Sequence, residues 1–306
     1  MRHPRPSRRG EGAGRVESPK RPFRYRWRRE RRGASGVVVT LLILLVAAGA
    51  LSMFMAIYVP IWTKDAEARQ MKRIQSQMIQ LKENIDLQIL AGRSSTLTNR
   101  VTLGDEGGPV FGLARTVGSL SLSPEDGEYR LGSATDPNET FGLTRGRMGF
   151  QPQNMYYPDQ SYHYENGAII VEQGGRAVMK ASPHFDLRRQ PDGNLSASVT
   201  LISLTGVPAT RSGSGDMRVK STLSIFDKTS YTGGDWEAGR NLGLNITTAF
   251  PSVWADFFNT TLGRPETGLT GADYQVSVRP NGVDVTLFKV MELELGIAVV
   301  EIQLEM

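Results

Sequence analysis

Beyond residue 63 the chain carries two histidines, and each has an acid two places on: His163-Tyr-Glu165 and His184-Phe-Asp186. On a strand, residues two apart share a face, so each pair offers two ligands to one side. The two pairs together could hold a metal. A catalytic metal, however, ordinarily takes three protein ligands in fixed geometry, and nothing in this spacing fixes it. The absence of cysteine removes a thiolate site, a cysteine nucleophile and a disulfide framework. Ser212-Gly-Ser214-Gly lacks the leading glycine of a nucleophile elbow. Gly104-Asp-Glu-Gly107-Gly108 has neither the lysine nor the spacing of a phosphate loop. Asp105, Glu106, Glu125, Asp126 and Glu128 fall in turn-like contexts, where solvated carboxylates are far commoner than catalytic pairs or calcium ligands. The expectation is a protein that is not an enzyme, with no catalytic or metal-ligating residue and no cofactor.

A second kind of chemistry is modification. Four of the ten asparagines head an Asn-x-Ser/Thr acceptor pattern: Asn138, Asn194, Asn245 and Asn259. All four follow the one segment able to cross a membrane, residues 33–63, which are thirty-one consecutive residues without a charge. A bilayer core needs about 20 apolar residues in a helix. Residues 1–32 hold thirteen Lys/Arg against three acids, a net +10, which leaves the other 274 residues at −5. A basic flank stays in the cytoplasm. The expected arrangement is therefore a single-pass protein of the cell membrane, N-terminus cytoplasmic and C-terminal domain extracellular. The tail interleaves its cations with Phe23, Tyr25 and Trp27, a composition that also suits nucleic acid or anionic headgroups. Beside a spanning segment, topology and lipid contact are the simpler account, so the partner expected is the bilayer and not nucleic acid.

These residues need elements to position them. Pro60 should end or kink the apolar helix, with Tyr58 and Trp62 at the interface. Helix signals resume at Lys64, and Met71, Ile74, Met78, Leu81 and Ile85 make one apolar stripe, which packs either on the chain's own β domain or on a partner helix. From about Thr96, short alternating runs between Gly, Pro, Asn and Asp read as strands. Asn281-Gly282 predicts a hairpin over residues 274–287, pairing Val278 with Val285 and Val276 with Leu287. The parity change at Val299-Val300 predicts a bulge or break near 296–300. Ser252 is the expected cap of a short helix carrying Val253, Trp254, Phe257 and Phe258, which either plug a sandwich end or stack on carbohydrate. The fold class is α+β. A basic tail or leader (1–32), a transmembrane helix (33–62) and an amphipathic stalk helix (63–91) precede a mainly antiparallel, sandwich-like β domain (96–306), with a candidate seam at 206–215.

The junction Arg31-Arg32-Gly33-Ala34-Ser35-Gly36-Val37-Val38 resembles an archaeal type IV prepilin signal, in which a peptidase cuts between a basic stretch and the apolar helix. The resemblance implies processing after Gly33, leaving Ala34 as the new N-terminus. Many pilins carry a glutamate five residues into the mature helix, and Val38 stands there in this chain. Tyr58-Val-Pro60-Ile-Trp62-Thr63-Lys64, then Gly92-Arg93-Ser94-Ser95 and Val101-Thr-Leu103-Gly104, are similar to motifs of uncharacterised archaeal surface proteins with pilin-like N-termini. What this implies is a structural or interaction subunit whose partners are prepilin peptidase and other pilin-like subunits, met through the apolar helix. The alternative on the same anchor is an adhesin or solute-binding domain, and after it a tethered hydrolase.

Overall fold

The computed structural model describes residues 31–107, 115–136, 138–232, 234–235 and 241–305, with side chains from Gly36 onward. The basic tail expected over residues 1–32 therefore falls almost wholly outside them. The chain divides after Met55 into two units, 1–55 and 56–306.

One helix, α1, runs unbroken over Arg31–Ala91. Its N-terminal part, from Gly36, is long and apolar enough to cross a membrane, and none of its most apolar stretch is buried. Of the two outcomes expected at Pro60, an end or a kink, the helix does not end there, since Pro60 lies inside α1. Proline removes one ladder hydrogen bond, a loss that membrane helices tolerate where side chains such as Ser or Thr take up the freed backbone groups. Thr63 follows it, its hydroxyl donating to the Val59 carbonyl at 2.9 Å.

The strands follow in order: β1 (Ser95–Gly104), β2 (Gly118–Ser133), β3 (Thr140–Pro152), β4 (Gln160–Glu165), β5 (Ala168–Gln173), β6 (Arg176–Ala181), β7 (Phe185–Arg189), β8 (Leu195–Thr205), β9 (Ala209–Gly213), β10 (Gly215–Thr232) and β11 (Leu242–Thr247). Helix α2 (Pro251–Leu262) then leads to β12 (Tyr274–Arg279), β13 (Gly282–Leu287) and β14 (Val290–Glu305). One sheet has the order β1-β10-β14-β8-β7, and the other runs β12-β13-β11-β2-β3-β4-β5-β6. Every pairing is antiparallel except β8 with β14. Long β2 takes β9 along residues 118–122 and β11 along 128–133, while β3 pairs its other edge. The segment read as a candidate seam is thus the crossing of the chain from β8 in one sheet, through β9 in the other, and back to β10.

Apolar side chains collect in two cores. One lies between α2, β11, β13 and the first halves of β8 and β14, and includes Leu195, Leu201, Leu244, Trp254, Phe258 and Leu293. The other surrounds the C-terminal half of α1. Met71, Ile74, Met78, Leu81 and Ile85 are at most 1% exposed, against Val101, Phe150, Ile202, Val219 and Val300 of the curled sheets. The stripe therefore packs on the chain's own β domain, and the segment read as a stalk is one of its core elements. β8 and β14 serve both cores by switching the buried face midway: Leu201 and Leu295 face the first, and Ile202 and Ala298 the second.

Three local expectations need correcting. The bulge lies not in β14 but opposite it: Leu223 pairs Val300 and Ile225 pairs Val299, so Ser224 is the extra residue. The bulge turns Ile225 out to solvent, although it shares parity with buried Leu223. The hairpin at residues 274–287 pairs Val276 with Val285 and Arg279 with Gly282, which puts Pro280 and Asn281 in the turn. Pro in second place and Gly in fourth suit an ordinary turn. Gly282 is a strand residue, and a Cβ there would come within 2.2 Å of the Ile246 carbonyl oxygen. Finally, α2 begins at Pro251 after Phe250, with no side-chain cap, so Ser252 does not cap it. Proline's missing N–H needs no partner at that position.

Candidate functional site

The His-Glu pair at the end of β4 is placed by a turn of strong sequence character. Glu165 pairs Ala168, leaving Asn166-Gly167 as a two-residue loop. Their φ values of 43° and 78° are the left-handed pair that such a loop requires and that Asn-Gly adopts most readily. The Asn166 side chain accepts from the Ile202 N–H at 2.7 Å, tying the turn to β8.

Glu165 is 2% exposed. Its Oε2 accepts from the Tyr129 hydroxyl at 3.0 Å, the Thr248 hydroxyl at 2.7 Å and the Trp254 Nε1–H at 3.2 Å. Its Oε1 lies 3.3 Å from Arg147 Nε, and Arg147 reaches Asp126 at 2.7 Å. Asp126 is carried to that point by the irregular stretch of β2 between Ser123 and Glu128. Burial first, and the Glu165 charge second, push the Tyr129 hydroxyl well above its usual pKa, so Tyr129 stays a donor. A buried carboxylate taking three donors on one oxygen, with a guanidinium beside the other, is a lock between α2 and β2, β3 and β4.

His163 stands apart from this carboxylate. Its ring packs on Phe250 at 4.7 Å. Burial, then the Arg147 charge, lowers its pKa to about 4, so at neutral pH the 3.9 Å approach to Glu172 is not an ion pair. The other histidine has a partner that sequence spacing did not suggest. His184 Nε2 lies 3.0 Å from Asp86 on α1, and Asp86 also meets Lys82, whereas Asp186 pairs with Arg188. His184 and Asp86 border a surface groove of about 310 Å³ with an apolar floor of Ile89 and Phe226. The two histidines are thus engaged on different partners. Among the described residues no three His, Asp or Glu come together as metal ligands.

The polar residues that sequence reasoning missed are on α1. Glu67, 2% exposed, accepts the backbone N–H groups of Met155, Tyr156 and Tyr157 at 2.6, 2.9 and 2.6 Å. Gln70 donates to the Thr102 carbonyl at 2.6 Å, Gln77 exchanges two bonds with Thr102, and Gln88 bonds Ser95 and Ser221. All four side chains flank the apolar stripe, and that adjacency was the available signal: polar groups bordering a buried face must find partners.

Of the modification positions, Asn138 and Asn259 are exposed, the latter within α2. Asn194 donates to Asp192 at 2.7 Å. Asn245 is half-buried, donates to Asp284 at 2.6 Å, and lines a groove of about 330 Å³ with Arg130 and Gly132. Gly33 and Ala34 fall in the opening turn of α1.

Set against family models, curated proteins and solved structures, the chain matches none.

Proposed function

We propose that the chain is a non-enzymatic, single-pass archaeal surface protein, a pilin-like structural or interaction subunit processed after Gly33. One observation carries this reading. A single unbroken helix, α1, supplies both an unburied apolar stretch and, from Met71 to Ile89, a core element of the β domain. The non-enzymatic part is supported by the separation of the candidate groups, since Glu165 Oε2 is held by Trp254, the His163 ring packs on Phe250, and His184 meets Asp86. The basic tail supports an N-terminus in the cytoplasm, with the domain and its four acceptor asparagines outside. Mass spectrometry of the native N-terminus tests the reading. A chain beginning at Ala34, and recovered with sheared surface filaments, is the expected result; intact residues 1–32 in the membrane fraction overturn processing.

A tethered binding domain is the second reading, favoured by the groove beside Asn245. Adjacent Gly132 and Gly243 form its floor, and the segment around Ala134 and Glu139 overhangs them. Saturable binding of a soluble glycan or peptide that is lost in Gly243→Leu would favour it.

A further inference from the structure

The segment between β3 and β4 carries Met155, 77% exposed, and Tyr156, 45% exposed. Single exposed apolar residues are ordinary. These two are unusual in being pinned, since the N–H groups of residues 155–157 all converge on the buried Glu67 carboxylate. Side chains on a helix tilt toward its N-terminus, so Glu67 holds the loop about a turn nearer to Trp62 than its own Cα. The face of α1 that carries Glu67 is already covered at that level. Thr63 is buried and Pro60 and Val59 are half-covered, at spacings of 4, 7 and 8 from Glu67. The uncovered faces there show Tyr58, Ile61 and Trp62, each between 44% and 50% exposed, with Tyr58 and Trp62 rings 5.9 Å apart. Exposed Lys64, Arg69 and Lys72 follow on the same helix.

We propose that Met155 and Tyr156 are a second membrane contact, seated in the headgroup region beside Trp62, with Glu67 positioning the loop. Aromatic and apolar side chains backed by cations are the chemistry that an anionic lipid interface takes. The inference rests on the membrane reading of α1. It concerns the folded domain rather than the span, so the two can fail separately.

The chain has no cysteine, so single-cysteine variants need no background removal. Nitroxide labels at Leu45→Cys, Met155→Cys and Leu90→Cys are compared in the full chain, reconstituted in vesicles of phosphatidylcholine and phosphatidylglycerol. Leu45 is in the apolar stretch, and Leu90, 84% exposed, follows Trp62 by 28 residues, about 42 Å along a helix. The readout is collision with oxygen relative to a water-soluble nickel complex, which rises with depth. The expected ratio at Met155 is about threefold or more above that at Leu90, and falls toward it in Glu67→Gln. A high ratio at Leu45 with Met155 equal to Leu90 overturns the loop contact and leaves the span standing. A ratio at Leu45 as low as at Leu90 overturns both.

Discussion

The Glu165 carboxylate is the residue on which most side-chain hydrogen bonding converges. Tyr129, Thr248 and Trp254 all donate to it from separate parts of the chain. Glu165→Ala leaves those three donors unpaired in the interior and Arg147 with Asp126 alone, which should cost about 3–5 kcal/mol in denaturant unfolding, because breaking a buried charged network strands its partners. Trp254→Phe removes one donor, keeps the ring packing on Tyr129 and Phe258, and should cost about 1–2 kcal/mol. His163 gives a pH signature of defined sign. Its pKa is about 4 in the fold and 6.5 when unperturbed, so between these values the unfolded chain binds a proton that the native chain does not. Stability therefore rises with pH across that window. The penalty is absent above pH 6.5 and grows to about 3 kcal/mol near pH 4. In His163→Gln the unfolding free energy should lose that part of its slope between pH 4 and 6.5. An unchanged slope would place the titration elsewhere. None of the partners was legible in sequence. His163-Tyr-Glu165 does sit on a strand, but its two side chains meet Phe250 and Trp254, more than eighty residues on.

At the scale of elements, what sequence showed and what it hid divide by range. Alternation places β8, β11 and β14, and the 3-4 spacing places the buried stripe of α1, because each pattern is a local record of one buried face. Register and pairing depend on neighbours, and there local signals mislead. Of the two Asn-Gly pairs just where strands meet, Asn166-Gly167 makes the left-handed turn, while Asn281-Gly282 does not. Gly282 is glycine because β11 passes against it. Gly282→Ala should then destabilise by about 2 kcal/mol or more through a backbone clash, while Asn281→Ala, in the turn, should change stability by less than about 0.5 kcal/mol. Chemical denaturation of both variants decides the point, and equal costs would restore Asn281-Gly282 to the turn. Likewise the parity change in β14 was visible. Its cause, the passage of the strand from one core (Leu293, Leu295) to the other (Ala298, Val300), is set by elements distant in sequence, out of reach of any window along β14.

For the whole molecule, the consequential fact is where the β domain begins. Composition draws the line near residue 96, where helix signals give way to strands, yet the compact unit starts at Ala56. Composition cannot show this, since an amphipathic helix with one apolar stripe reads the same whether its partner is another chain or a sheet that follows it. Here the sheets curl around it, and Met71, Ile74, Met78, Leu81, Ile85 and Ile89 are all buried among their side chains. Burying each such side chain stabilises by about 1.5–3 kcal/mol, and six of them together match or exceed the roughly 5–15 kcal/mol by which a domain is stable at all. Losing the helix would also remove the hydrogen bonds that Gln70 and Gln77 make to Thr102 and Gln88 makes to Ser221. A chain starting at Ile57 should therefore unfold in one cooperative transition, with a near-ultraviolet circular dichroism spectrum of fixed aromatic packing. A chain starting at Ser94 should lose that spectrum, bind a hydrophobic dye, and recover both properties when a peptide of residues 64–91 is added, since the groove it leaves has the shape of that helix. A Ser94 chain that folds cooperatively on its own would show that the helix only leans on a finished domain.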